Sequence, residues 1–220
     1  MCELRATVSP VRWWLVIDAL HAAAHQSERD AVAALDEHSW LGAAIDADVA
    51  ARRFAEWGSS TVIDENVGAA VIGRELFDAL HDRAQLQAQW PVGNAGVLHV
   101  YGYLLSTVET PYGLKRDRWM DGHLAVACGL PADAFVPWAS PRTLLERVGD
   151  AAHSVLARAE CVRHAGGATL ALERAVESGE WALVYSVDGL LVTAFPVASA
   201  DPVLAEWDSE PQRLRWNGVR

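Results

Sequence analysis

The sequence predicts an α+β fold, a helical N-terminal portion packed on a small, mainly antiparallel sheet. Three observations predict it. Residues 1–89 place apolar side chains at helical spacing. From Trp90 the texture shifts to Gly, Pro, Tyr and β-branched residues, the composition of strands and turns. Near the C-terminus, WALVYSV and LLVTAFPV flank Asp188-Gly189, a dipeptide that tolerates positive φ and is the strongest short-range hairpin signal. With 220 residues, 51% of them hydrophobic, the chain can build one sizeable core. Residues 1–220 are therefore read as a single domain, mainly helical over residues 1–89 and mixed over residues 90–220, where it ends in the hairpin.

From Val11 to about Trp40, Trp14, Ile17, Leu20 and Ala24 share a helical stripe, and the polar break near Ser27 divides two helices. A third helix is expected from Ile45 to Trp57, ended by Gly58-Ser59-Ser60. Asp64 is placed to cap a fourth, running through Val67, Val71, Leu76 and Leu80 to about Gln87. Val97 to Val108, rich in β-branched and aromatic residues, reads as a strand that enters a turn at Thr110-Pro111-Tyr112-Gly113. Arg116 to Cys128 reads as a helix closed by Gly129 and Pro131, and a longer helix spans Pro141 or Arg142 to about Glu160. Ala168 to Val176 fits a strand or a short helix. The hairpin strands are almost continuously apolar, as expected of interior strands covered on both faces. Trp207 and Trp216 are available to pin the polar tail.

Composition excludes several function classes. The formal charge is −11, from 29 acidic and 18 basic residues, which argues against a nucleic-acid partner held through phosphates. No uncharged apolar stretch reaches the roughly 20 residues of a bilayer-spanning helix. The N-terminal apolar run Trp13 to Leu20 contains Asp18 and lacks the basic start and cleavage site of a signal peptide. Cys2, Cys128 and Cys161 are too few and too irregularly spaced for a disulfide framework or a zinc ribbon. A soluble protein of the reducing cytoplasm, with no membrane partner, is the resulting expectation.

One compositional feature points toward chemistry. Of the 18 basic residues, 17 are Arg and one, Lys115, is Lys, and an amine can lose its proton where a guanidinium cannot. Lys115 lies in the chain's densest reactive stretch, together with Asn94, His99, Tyr101, Tyr103, Tyr112, Arg116 and Arg118. On a strand, His99, Tyr101 and Tyr103 would share one face, giving a general acid/base beside two phenols. The turn after it would bring Lys115, Arg116 and Arg118 close enough to hold a carboxylate or phosphate. His99, Tyr101 and Lys115 are thus the candidate catalytic residues, and Asn94, Tyr103, Tyr112, Arg116 and Arg118 the candidate substrate-binding ones. Lys115 could alternatively form a Schiff base. Gly93, Gly96 and Gly102 offer close backbone approach to a ligand, but neither nucleotide-binding glycine motif occurs, and no cofactor is implied. The plainer account is that the Tyr and His line a half-buried sheet while the KRDR run is a solvated helix start.

Weaker signals remain. Asp18, His21 and His25 fall on one helical face and could supply a fraction of a metal site, although HExxH is absent. Cys161 sits beside Arg163 and His164, cations that favour thiolate, but a small buried apolar role is the default. Two functional readings follow. The first is an enzyme using acid/base chemistry on a small anionic substrate, a lyase, isomerase or hydrolase; the second is a noncatalytic binding or assembly module with a Trp-rich interaction surface. Self-association into a homo-oligomer is compatible with either.

Overall fold

The computed structural model describes residues 10–37 and 39–210 and has the α+β architecture, with helices N-terminal and a four-stranded antiparallel sheet C-terminal. Helices α1 (Pro10–Ala24) and α2 (Glu28–Glu37) are separated at Ser27, whose Oγ accepts from the Asp30 backbone N–H at 3.1 Å and caps α2. The buried stripe of α1 is Trp13, Ile17, Leu20 and Ala24, whereas Trp14 faces outward. The register starts one residue earlier than the predicted stripe. Helix α3 (Ser39–Ala50) ends before Trp57 because Arg52 adopts a left-handed conformation, φ 57°, and a short 3-10 turn follows over Arg53–Glu56.

The predicted fourth helix does not begin at Asp64. Strands β1 (Ser59–Thr61), β2 (Ile63–Asp64) and β3 (Ala69–Ala70) precede α4 (Arg74–Arg83). Asp64 Oδ1 accepts from the backbone N–H groups of Asn66 (2.9 Å) and Val67 (3.2 Å). The capping chemistry expected of this side chain is present, but it closes the β2–β3 turn instead of a helix.

A larger correction concerns the expected strand from Val97. Strand β4 (Val92–Asn94) pairs antiparallel with β1, placing Ser60 opposite Gly93. The chain then forms a helix over residues 95–105, with π-helical winding across Val97–Gly102 that passes into α5 (Tyr103–Leu105). Every residue of it is buried. A helix apolar on all sides shows no amphipathic period, so its β-branched and aromatic run reads like an interior strand. The glycines serve packing of protein against protein. A Cβ on Gly93 would lie 2.3 Å from His81 Nε2, one on Gly96 2.9 Å from the Trp57 ring, and one on Gly102 3.3 Å from Ile72.

Strands β5 (Glu109–Thr110) and β6 (Gly113–Leu114) flank the predicted turn. The expected helix from Arg116 to Cys128 is two helices, α6 (Asp117–Met120) and α7 (His123–Ala127), broken at Gly122 with φ 82°. Helix α8 (Leu144–Arg158) is capped by Thr143, whose hydroxyl accepts from the Glu146 N–H.

The sheet comprises β7 (Cys161–Ala165), β8 (Ala168–Arg174), β9 (Trp181–Val187) and β10 (Leu190–Val197), in the order β10-β9-β8-β7. Asp188 (φ 52°) and Gly189 (φ 80°) form the two-residue β9–β10 turn, as the dipeptide predicts. Both faces are covered: Ala182, Val184, Leu191 and Ala194 join the main core, while Leu183, Tyr185, Val192 and Phe195 pack with Val203 and Trp207, the latter two on α9 (Ala200–Ser209). In contrast to the interior position expected, β10 is an edge strand. Its outer side is partly occupied by the Trp57–Gly58 backbone, with the Gly58 N–H donating to the Leu191 carbonyl at 2.8 Å. A bulge between Leu191 and Thr193 interrupts the register and re-aims the side chains that follow.

Among the described residues, no helix is long and apolar enough to cross a membrane. The tryptophans among them are mostly core or partly buried, and Trp14 is the exposed one. Trp216 and Cys2 lie outside the described residues.

Candidate functional site

A cavity of about 310 Å3 opens between the β1–β2 segment, the helix 95–105, the β6–α6 corner and β10. Helical winding decides which predicted residues reach it. Positions i and i+4 share a helical face while i+2 does not, so His99 and Tyr103 point into the cavity with ring centroids 4.9 Å apart. Tyr101 points away. Its hydroxyl donates to the buried carboxylate of Asp48, which also accepts from Thr143 Oγ1 at 2.6 Å. Tyr101 therefore belongs to a structural network, and the catalytic place expected for it beside His99 requires a strand that the chain does not form.

Lys115 and Arg118 enter the cavity from the β6–α6 corner, Lys115 Nζ 5.4 Å and the Arg118 guanidinium carbon 4.9 Å from the Tyr103 ring centroid. Tyr112 reaches the same cavity from the β5–β6 turn and is half exposed. Arg116 does not. It is buried, stacks 3.5 Å from the Trp14 ring centroid, and donates to the Ser106 carbonyl. Asn94 is also structural: Nδ2 donates to the carbonyls of Phe54 (3.0 Å) and Trp57 (3.1 Å), and Oδ1 accepts from the Val97 N–H at the start of the helix. The three cations thus separate into two in the cavity and one in the core.

Two cations, Lys115 and Arg118, and four carboxylates, Asp64, Glu65, Asp117 and Asp121, line the cavity. Lys115 forms an ion pair with Asp64, which is almost wholly buried. Burial pushes the Asp64 pKa up, but Lys115 and the two backbone donors outweigh it and hold the carboxyl below its usual range. Burial and the neighbouring Arg118 charge lower the Lys115 pKa against the pull of Asp64. Arg118 forms no ion pair with a carboxylate among the described residues; its Nη1 donates to Thr193 Oγ1 and the Ala194 carbonyl, both at 3.3 Å. Burial lowers its pKa, yet a guanidinium remains charged at any ordinary pH. Asp117 and Asp121 also line the cavity, but each already accepts a backbone N–H, from Leu114 and His123 respectively, and Asp121 is exposed at the rim.

His99 is held neutral. Burial, reinforced by Arg118 and Lys115, pushes its pKa down to about 3, while the Val192 backbone carbonyl favours the protonated ring. Its Nε2 lies 2.9 Å from Ser60 Oγ. Burial also raises the Tyr103 pKa, so the phenol stays protonated and able to donate.

Ser60, Asp64 and Thr193 are cavity residues to which the sequence does not point. Ser60 falls in a run that reads as the end of a helix, Asp64 reads as a helix cap, and Thr193 sits inside a hairpin strand. Only the pairing of β1 with β4, immediately before the His99 helix, brings residue 60 to residue 99.

The weaker candidates do not gather into sites. His21 Nε2 hydrogen-bonds the Leu105 carbonyl at 2.6 Å, and no group of three or more His, Cys, Asp or Glu among the described residues is arranged to hold a metal ion. Cys161 lies on β7, where strand alternation puts His164 on the opposite face, and Arg163 pairs with Asp208. Comparison of the chain with protein-family models, curated proteins and solved structures found no match.

Proposed function

We propose that the protein is an enzyme that binds a small anionic molecule, a carboxylate or a phosphate, in this cavity and transforms it by acid/base chemistry. The observation that carries the reading is Arg118: a guanidinium in a concave site, without a carboxylate partner among the described residues, beside His99, Tyr103 and Lys115. A cation held in a low-dielectric wall attracts an anion far more strongly than one in water. Arg118 holds the substrate's charge, Tyr103 donates a hydrogen bond to it, and Lys115, tied to Asp64, supplies a proton. His99 is the proton acceptor. Its basicity in the free cavity is suppressed partly by the two cations, and an anion seated on Arg118 offsets that suppression, so that substrate binding itself makes the imidazole a better base.

Thermal-shift measurements with small carboxylates and phosphates test the reading. A ligand at about 100 times its Kd stabilises the folded state by about 2.7 kcal/mol. At about 2–4 °C per kcal/mol for a chain of this length, the melting temperature should rise by about 5–11 °C. Arg118→Gln, compared with its own unliganded melt, should lose most of that rise. Absence of a response to any such anion, or an equal response in the variant, overturns the proposal.

A further inference from the structure

We propose that Ser60 is the nucleophile of this cavity, activated by His99, and that the substrate is a carboxylate-bearing ester whose acyl group is transferred to Ser60 Oγ and then to water. The inference rests on the anion-binding reading above and deepens it. Its basis is geometric. Ser60 Oγ and His99 Nε2 are 2.9 Å apart, within reach for direct proton transfer, and both residues line the cavity that holds Arg118.

Nucleophile activation uses the tautomer with the ring proton on Nδ1. His99 Nε2 is engaged with Ser60 Oγ. With the ring proton on Nδ1, Nε2 presents its lone pair to the serine O–H. Nδ1 is buried and makes no well-formed hydrogen bond, so a charged imidazolium is not stabilised before substrate arrives.

The step balances without a further co-reactant than water. Ser60 Oγ attacks the ester carbonyl carbon, the Oγ–C bond forms, and the Oγ proton passes to His99 Nε2. The carbonyl electron pair moves to oxygen, where the Tyr103 hydroxyl and the Lys115 ammonium are the donors that line the cavity. The tetrahedral adduct collapses, the C–O bond to the alcohol breaks, and the leaving oxygen takes the proton from His99. Water then repeats the sequence on the acyl-serine, releasing the acid and restoring Ser60. Negative charge on the tetrahedral oxygen and positive charge on His99 develop together, so the imidazolium disfavoured in the free cavity gains its counter-charge when it is needed.

The cavity's charges select a carboxylate over a phosphate as the recognition group. Arg118 is the one cavity cation outside the Lys115–Asp64 pair, and the further carboxylates Glu65, Asp117 and Asp121 line the same cavity, so a monoanionic carboxylate meets less repulsion there than a phosphate dianion.

The test uses the mono-p-nitrophenyl ester of succinate with the full chain, and succinate itself as the non-reactive probe. Wild type should release a burst of nitrophenolate equimolar with protein and carry a succinyl group on the peptide containing Ser60. Ser60→Ala should lose both while keeping the thermal stabilisation by succinate. Ser60→Cys should carry the group as a thioester labile to hydroxylamine at neutral pH, which guards against loss of activity through misfolding. Succinate stabilisation without an acyl adduct, acylation of Lys115 in place of Ser60, or an undiminished burst in Ser60→Ala overturns the nucleophile assignment and leaves anion binding standing. Absence of succinate stabilisation in wild type, by contrast, strikes the anion-binding reading on which the assignment depends.

Discussion

Replacing Lys115 with Met leaves the almost wholly buried Asp64 carboxylate without its counter-ion. Breaking a buried ion pair from one side costs about 3–5 kcal/mol. Asp64 keeps two backbone N–H donors, from Asn66 and Val67, which places the loss near the lower end. About 3 kcal/mol corresponds to a fall of about 6–12 °C in melting temperature for a chain of this length. The pH dependence carries a sign that distinguishes this cause from a generic packing defect. In the native protein the Asp64 pKa lies below its unfolded value, so its stabilisation is present above about pH 4 and is lost as pH falls through the folded pKa. Without Lys115, burial is opposed only by the two backbone donors, so the folded pKa should rise. The carboxyl then contributes less at pH 7 than in wild type, and the difference should shrink as the carboxyl is protonated toward about pH 4 and below. Thermal melts by circular dichroism at pH 7 and pH 4 should therefore show a gap between wild type and Lys115→Met that narrows at the lower pH. Adding Asp64→Asn to the variant should recover at least half the loss at pH 7. A change below about 0.5 kcal/mol at pH 7, typical of an exposed surface substitution, or a gap that widens on acidification, refutes the buried-pair account.

Tyr101→Phe and Tyr103→Phe should separate core from cavity. The first removes a hydrogen bond to the buried Asp48 and should cost about 1.5–3 kcal/mol in stability while leaving carboxylate binding unchanged; the second should weaken binding several-fold with little effect on the unliganded melt. Because the His99 pKa lies at about 3, below the unfolded value, its contribution to stability is fully present above about pH 6.5 and is lost as pH falls toward 3. The imidazole resonances of His99 in an NMR titration should stay those of a neutral ring from pH 8 to pH 5, and a midpoint near 6.5 would contradict the buried, cation-flanked environment. Gly93→Ala forces a Cβ to within 2.3 Å of His81 Nε2 and should destabilise the protein by about 1–3 kcal/mol, measured by denaturant unfolding; because Gly93 pairs with Ser60, anion-dependent stabilisation should weaken as well.

The fold class and the elements with strong local signals are legible in the sequence. The Asp188-Gly189 hairpin, the two helices divided at Ser27 and the α8 periodicity all rest on interactions within a few residues. The helix 95–105 is not legible, because burial on every side removes the amphipathic period and leaves only β-branched and aromatic composition. That exchange of helix for strand propagates into the site. It keeps His99 with Tyr103 but sends Tyr101 to Asp48, and the β6–α6 corner keeps Lys115 with Arg118 but sends Arg116 to Trp14. The significance of Lys115 is visible in composition alone, whereas its partner Asp64 and the Ser60–His99 contact come from chain segments 51 and 39 residues away. No local pattern encodes such pairings; they follow from which short strands meet around the cavity.

The most direct measurement of the central claim is a crystal structure of the protein with the small carboxylate that stabilises it most. Arg118 should hold the carboxylate oxygens within hydrogen-bond distance in the cavity bounded by His99, Tyr103 and Lys115. A ligand bound elsewhere, or an Arg118 guanidinium still engaged only with Thr193 and Ala194 while the ligand is present, would contradict it.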